Sequence, residues 1–247
     1  LIAASLVVIV SLGIRQTFGL FFFDFNADLN ISISHFGFVI GLQLLMWGVF
    51  SPIFGFITDR YGGATAIFIG FLFYLAGLFL FYSGLNTGYL FTLTIGLLIG
   101  IGLGGTAISI PVSVVAKHFP SSNRTIATGI VTCAGSFGFF VSPLLVRYSL
   151  IEIGWEITIL YFCFLLGIGL ITALFISTPK TPVGNNDNNN QTAKEALIEA
   201  FNNKSFIFLT LGFFVCGWHI ALVATHIPTY MMDRGMPDWT AAMILAL

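Results

Sequence analysis

The residues of this chain that could do chemistry are few, and several stand inside long apolar runs. Arg15 lies about midway along a run from 3 to 23, and His219 and His226 lie within another from 205 to 231. If those runs cross a membrane, a charge at the position of Arg15 costs roughly 3 kcal/mol even on the lenient insertion scale, so something must compensate it. No Asp or Glu occupies the central part of any apolar run. Two compensations are open, an acid elsewhere in a longer chain or an anionic ligand, beside the plainer reading of an arginine that snorkels or bonds carbonyls. The planar guanidinium fork suits a carboxylate, which favours the ligand. His219 and His226 are seven apart, hence on one helix face and about 10 Å apart along its axis. Histidine is the side chain that binds and releases protons near neutral pH, which makes both candidates for proton coupling. Gln16 and Trp218 adjoin these residues and are expected to line the same cavity, with Arg15, Gln16, Trp218 and His219 as the binding set.

Composition states what must position them. Of 247 residues, 8% are charged and 57% hydrophobic, with 28 Phe and a mean hydropathy of +0.99. Soluble domains do not carry that much apolar surface. Runs of at least 18 apolar residues read as transmembrane helices, since about 20 residues at 1.5 Å rise cross the hydrocarbon. They fall at about 3 to 23, 35 to 57, 66 to 83, 89 to 116, 125 to 147, 157 to 177 and 205 to 231, and an eighth opens near 239. The expected fold class is an all-α membrane protein. Residues 1–177 form a six-helix bundle, 178–204 a linker with an Asn-rich centre, and 205–247 the start of a second bundle. Within the linker "AKEALIEAF" has the pattern of a short surface helix. The chain opens at Leu1 and stops inside "AAMILAL", as a piece of something longer would.

Charge placement orients the spans. With the N-terminus in the cytoplasm, the inside connections hold Arg60, Lys117, Arg124, Lys180, Lys194 and Lys204, and the outside ones only Arg147 and Arg234. Six against two follows the positive-inside rule. Lys117 and His118 belong to this inner rim, while Asp24, Asp28, Glu152 and Glu156 are expected as solvated residues of the outer mouth. There is no basic stripe for nucleic acid. Cys133, Cys163 and Cys216 have no metal-ligand spacing and read as small packing residues. No metal, cofactor or nucleophile–base pair is indicated, so an enzyme is the least favoured class. "GIGLGG", Gly100 to Gly105, satisfies a dinucleotide pattern but lies inside an apolar run with no strand before it. Gly96, Gly100 and Gly104 fall four apart and make a smooth face that lets a neighbouring backbone approach.

The stretch "GFITDRYGG" between the second and third spans then bears on function. Gly55, Asp59, Arg60 and Gly62 resemble the signature that the major facilitator superfamily carries at this turn; Gly63 and Ala64 stand where that signature usually has two basic residues. "RTIATGI" from Arg124 and the small-residue-rich "AGSFGFFVSP", with Gly135, Gly138 and Pro143, resemble the fifth span of the same superfamily, without the Gly-Pro pair of drug/proton antiporters. "GIRQTFGLFF" and "FFVCGWHIALVATHIPTY" resemble bacterial members near the monocarboxylate-porter branch. A weak repeat, Gly13/Arg15 against Gly217/His219, matches the two-bundle plan. The resemblance implies a small-molecule transporter of the bacterial inner membrane that works as a monomer once joined to the remaining half of its chain. It also implies a cytoplasmic latch at Asp59, a residue that can accept hydrogen bonds from helix N-termini or from a nearby cation such as Arg124. A small organic anion such as a monocarboxylate is the favoured substrate. A drug or cation exporter and a transporter-like sensor are the alternatives.

Overall fold

The computed structural model describes residues 1–84, 87–176 and 193–246; among these the chain is helical throughout, with no strand. The first span is a relay of α1 (Ile2–Gln16), a 3₁₀ turn (Phe18–Phe21) and α2 (Phe22–Leu29), 28 residues in all. α3 (Ile33–Tyr61) starts on Ser32, whose hydroxyl accepts from the His35 amide at 3.2 Å and so satisfies a free helix-end donor. It meets α4 (Gly63–Tyr82) across one residue, Gly62, at φ 94° and ψ 153°. An L side chain is strained there, so glycine is required for the chain to reverse within a single residue.

The fourth span is built in four pieces: α5 (Gly88–Phe91), a π-helical stretch (Thr92–Leu98), α6 (Ile99–Thr106) and α7 (Ser109–His118). The fifth and sixth predicted spans are two helices that meet at Gly154, non-helical at φ 80° and ψ 170°, and are labelled together α8 (Ser121–Leu174). Its two parts, 121–153 and 155–174, rise about 50 and 30 Å, each long enough to cross a bilayer. α9 (Ala193–Asn202) is the short linker helix expected from "AKEALIEAF"; the Asn-rich centre and Lys180 lie outside the described residues. α10 (Lys204–Asp233) is the seventh span and α11 (Asp238–Ala246) opens the eighth.

Packing rests on aromatic side chains outside and glycine inside. Phe21, Phe25, Phe81, Phe91 and Trp155 interlock in tilted and edge-to-face pairs at the end of the bundle that holds the α1–α3 connection, joining the first, third, fourth and sixth spans. Trp155 also donates its indole N–H to Asp28 at 2.6 Å. Asp28 is thus a clamp between the first and sixth spans and not merely a solvated mouth residue, while Glu152 and Glu156 are exposed. α6 lies so close to its neighbours that a Cβ at Gly100 would stand 2.6 Å from the Gln43 carbonyl oxygen and one at Gly104 3.0 Å from Phe50 Cβ. On its other side, Gly102 and Gly105 lie as tightly against α4. Gly135 and Gly138 do the same for α8 against α1, at Val8 and Ile9.

Candidate functional site

The first span stops being α-helical at the point where its charge sits. Thr17 donates its hydroxyl to the Ile14 carbonyl at 2.8 Å, and the chain tightens into the 3₁₀ turn beyond it. Arg15 and Gln16 therefore occupy the last turn of α1, mid-span. Arg15 is 5% exposed and its Nε has no hydrogen-bond partner; Gln16 Oε1 is likewise buried and unpartnered. Each such buried orphan costs about 1–3 kcal/mol. One turn back, Ser11 Oγ lies 2.6 Å from Thr106 Oγ1. Thr106 donates to the Gly102 carbonyl at 3.0 Å, so its oxygen accepts from Ser11. The Tyr74 hydroxyl donates to the Ser11 carbonyl at 3.4 Å, and Tyr74 is within electrostatic reach of Arg15. Among the described residues no carboxylate shares that reach. Arg15 is thus a buried cation whose near neighbour, the neutral Tyr74 hydroxyl, cannot neutralise it.

Beside this cluster the fourth span is broken. Ala107 is extended, at φ −66° and ψ 176°; the helical ladder closes with Ala107 N–H to the Leu103 carbonyl and resumes with Val112 N–H to the Ile108 carbonyl. The cause is Pro111, four residues on: its ring would collide with the Ala107 carbonyl in a continuous helix, and it has no N–H to offer that oxygen. Read as one apolar run from 89 to 116, the sequence hid this break, although Pro111 was the signal for it. Irregular backbone at membrane depth is tolerated where it is buried in protein or lines a cavity.

The other predicted residues lie elsewhere. Trp218 and His226 line a groove of about 960 Å³ between α3 and α10, whose walls also include Gly37, Leu44, Trp47 and Phe214. Arg15 and Gln16 are not part of it; both are buried, Arg15 within reach of Tyr74 on α4. The groove that Trp218 lines thus does not include Gln16, which the sequence analysis expects in the same cavity. His219 is exposed on α10 and is not a groove residue. α10 meets the first span further out, where Gly19 lies directly under the Ala224 carbonyl, so close that no Cβ would fit. At the α3–α4 turn, Asp59 accepts a charge-assisted bond from Lys117 Nζ at 2.6 Å. Lys117, and not Arg124, is its cation. Arg124 is exposed in the first turn of α8, whereas Lys117 ends α7 beside the α3–α4 turn. Arg60 lies over the Tyr61 ring, 5.5 Å from its centre. Among the described residues no cluster could hold a metal.

The profile of the Major Facilitator Superfamily matches residues 4–247. The chain belongs to that family. It is 26% identical over 159 residues to a probable nitrate transporter of Staphylococcus carnosus, a match covering 64% of this chain and 39% of that protein. With a hexuronate transporter of Bacillus subtilis it shares 24% over 237 residues, 89% of this chain and 53% of the other. The chain thus spans about half the length, or less, of the curated relatives it matches. The fold is similar to the crystal structure of a D-xylose-proton symporter, with a TM-score of 0.70 at 15% identity over 99% of this chain and 64% of that one. As a major facilitator with several apolar spans, the protein is an integral membrane protein.

Proposed function

We propose that the whole protein is a secondary transporter that moves a small organic anion, a monocarboxylate or an acid of similar shape, by alternating access between two helix bundles. Arg15 is its anion-binding residue. The observation that carries this reading is a buried guanidinium, with an unpartnered Nε and, among the described residues, no carboxylate in reach, in the broken mid-part of a transmembrane span. The names of two relatives lend support: nitrate and hexuronate both present a planar anionic group that an arginine fork can grip in two places. Gln16, with its own buried and unpartnered amide oxygen, supplies a polar contact next to the fork. His219 and His226 are the proton-coupling candidates, both on the seventh span. The N-terminus is cytoplasmic, in a bacterial inner membrane, which makes the Asp59–Lys117 pair an inner latch. The working unit is one complete chain.

The test uses the full-length protein in proteoliposomes, with labelled lactate, glucuronate and nitrate as probes. Arg15→Lys keeps the charge but loses the fork and should weaken binding; Arg15→Gln should nearly abolish it. Losing a charge-assisted hydrogen bond, about 1.5–3 kcal/mol, corresponds to a roughly ten- to hundred-fold drop in affinity. Wild-type affinity in Arg15→Gln would sink the anion site. His219→Gln should instead flatten the pH dependence of uptake while leaving exchange at equal pH intact; an unchanged pH profile removes His219 from coupling.

A further inference from the structure

The fourth span touches the first on both sides of Arg15. Before it in the chain, Ser11 Oγ lies 2.6 Å from Thr106 Oγ1 on α6; beyond it, the Phe25 ring meets the Phe91 ring at the end of α5 edge-to-face, with 6.0 Å between centres. Between those two seats the fourth span is not uniformly α-helical. Thr92–Leu98 is π-helical, and a π stretch within an α-helix amounts to one inserted residue. One residue turns a helix by about 100° and lengthens it by about 1.5 Å. The insertion leaves a carbonyl over. The π stretch closes with the Ile99 N–H on the Thr94 carbonyl, five residues back, and α-helical spacing returns with α6 at Ile99. Where five-residue spacing reverts to four, one carbonyl is skipped, and the next in line after Thr94 is Ile95. Ile95 is buried, so its oxygen needs a partner from protein. Gln43, fully buried on α3, donates its Nε2 to that oxygen at 3.0 Å. On the other side α4 makes room for the wider turn: a Cβ at Gly77 would stand 2.8 Å from the Thr94 carbonyl oxygen.

We propose that Gln43 is a positioning residue for the anion site: by bonding the Ile95 carbonyl it holds one extra residue in the fourth span, and that residue lets the span seat itself against the first on both sides of Arg15 at once. The assignment to the anion site rests on the reading of Arg15 given above. A fourth span of strict α-helical spacing keeps one seat and turns the other away by about 100°. α6 cannot turn to compensate, because a Cβ at Gly102 would lie 2.7 Å from the Gly70 carbonyl oxygen and one at Gly100 2.6 Å from that of Gln43, so any other face of α6 collides with main chain. Gln43 Oε1 is buried without a partner, so the donor half of the amide is the half that this position uses. Gln43 acts through the fourth span and does not touch the anion.

The experiment uses the full-length protein with its cysteines replaced, Cys133, Cys163 and Cys216 among them. Ser11→Cys with Thr106→Cys, oxidised to a disulfide, reports the seat on α6. His35→Cys with Thr92→Cys, bridged by a short bifunctional thiol reagent, reports the α5 end, where His35 Nε2 and Thr92 Oγ1 lie 2.9 Å apart. Gln43→Met keeps the length of the side chain and removes the donor. One pair should then crosslink poorly while the other crosslinks as before. Without the cysteine pairs, the affinity of Gln43→Met for whichever of labelled lactate, glucuronate and nitrate the wild type takes up should fall roughly ten-fold, with the maximal rate less affected. Gln43→Glu, assayed in acid with its carboxyl protonated, offers Ile95 an O–H and should restore both readouts. Wild-type crosslinking of both pairs in Gln43→Met overturns the register role, as does Gln43→Glu behaving like Gln43→Met. If Gln43→Met does not fold, native crosslinking in Gln43→Glu supports the donor and misfolding of both variants overturns it. Altered crosslinking with unchanged affinity overturns the tie to the anion site. Wild-type affinity in Arg15→Gln sinks the anion site itself and leaves the crosslinks untouched, so the two readings fail separately.

Discussion

Gly62 and Asp59 sit three residues apart in one turn, yet their replacement should fail in different ways. Gly62 adopts φ 94° and ψ 153°, where an L side chain costs about 1–3 kcal/mol. Gly62→Ala should therefore lower the melting temperature of the full-length protein in detergent, and Gly154→Ala, at φ 80°, should do the same. Gly167 has open space around it and an ordinary helical φ, so Gly167→Ala should be neutral or slightly stabilising. Equal melting of all three would show that neither turn needs glycine. Asp59 differs because its pair with Lys117 is exposed, and exposed pairs contribute about 0–1 kcal/mol. Asp59→Asn should leave the melting temperature unchanged and alter turnover, since a weak contact made in one conformation shifts a balance between states. Normal turnover at normal expression would reduce Asp59 to a turn residue.

At the scale of helices, close approach does the work that oil-like burial does in soluble proteins. Lipid is as apolar as leucine, so helices gain by van der Waals contact and by letting backbones meet. α6 shows this on two faces, Gly100 and Gly104 against α3 and Gly102 and Gly105 against α4. Gly100→Val would push branched methyl groups into the Gln43 backbone, with no flexible side-chain tip to yield. Overpacking of this kind costs about 1–3 kcal/mol. The expected outcome is a loss of monodisperse protein on size exclusion for Gly100→Val and none for Gly167→Val. A monodisperse Gly100→Val with normal melting would mean that α3 and α6 stand further apart than described.

For the molecule as a whole, orientation is the property on which the mouth and the latch both depend. The six-to-two placement of Lys and Arg predicts a cytoplasmic N-terminus. Single cysteines at Asn203, which precedes α10, and at Tyr89, 94% exposed at the start of the fourth span, should therefore label from opposite sides of intact cells. An impermeant reagent added outside should reach Tyr89→Cys and spare Asn203→Cys. Outside labelling at Asn203 would invert the molecule and place the Asp59–Lys117 pair on the outer face.

The helical, membrane-crossing character of the apolar runs was legible in the residues, because each helix in lipid must satisfy its own backbone and be apolar over its whole length, and both requirements are local. Hence 35–57 was read for Ile33–Tyr61, 205–231 for Lys204–Asp233, and a helix for "AKEALIEAF" where Ala193–Asn202 is helical. Arg15 was legible as a charge in need of a partner for the same reason. What stood next to it was not. That Tyr74, Ser11 and Thr106 gather beside Arg15 while Trp218 turns to the second span depends on how helices 60 to 200 residues apart rotate about their axes. Runs as uniformly apolar as these carry almost no periodicity to announce that rotation. Lys117 won Asp59 over Arg124 through the bend at Ala107, a local event caused by Pro111, but where the bend aims the chain is decided by the helices packed around it.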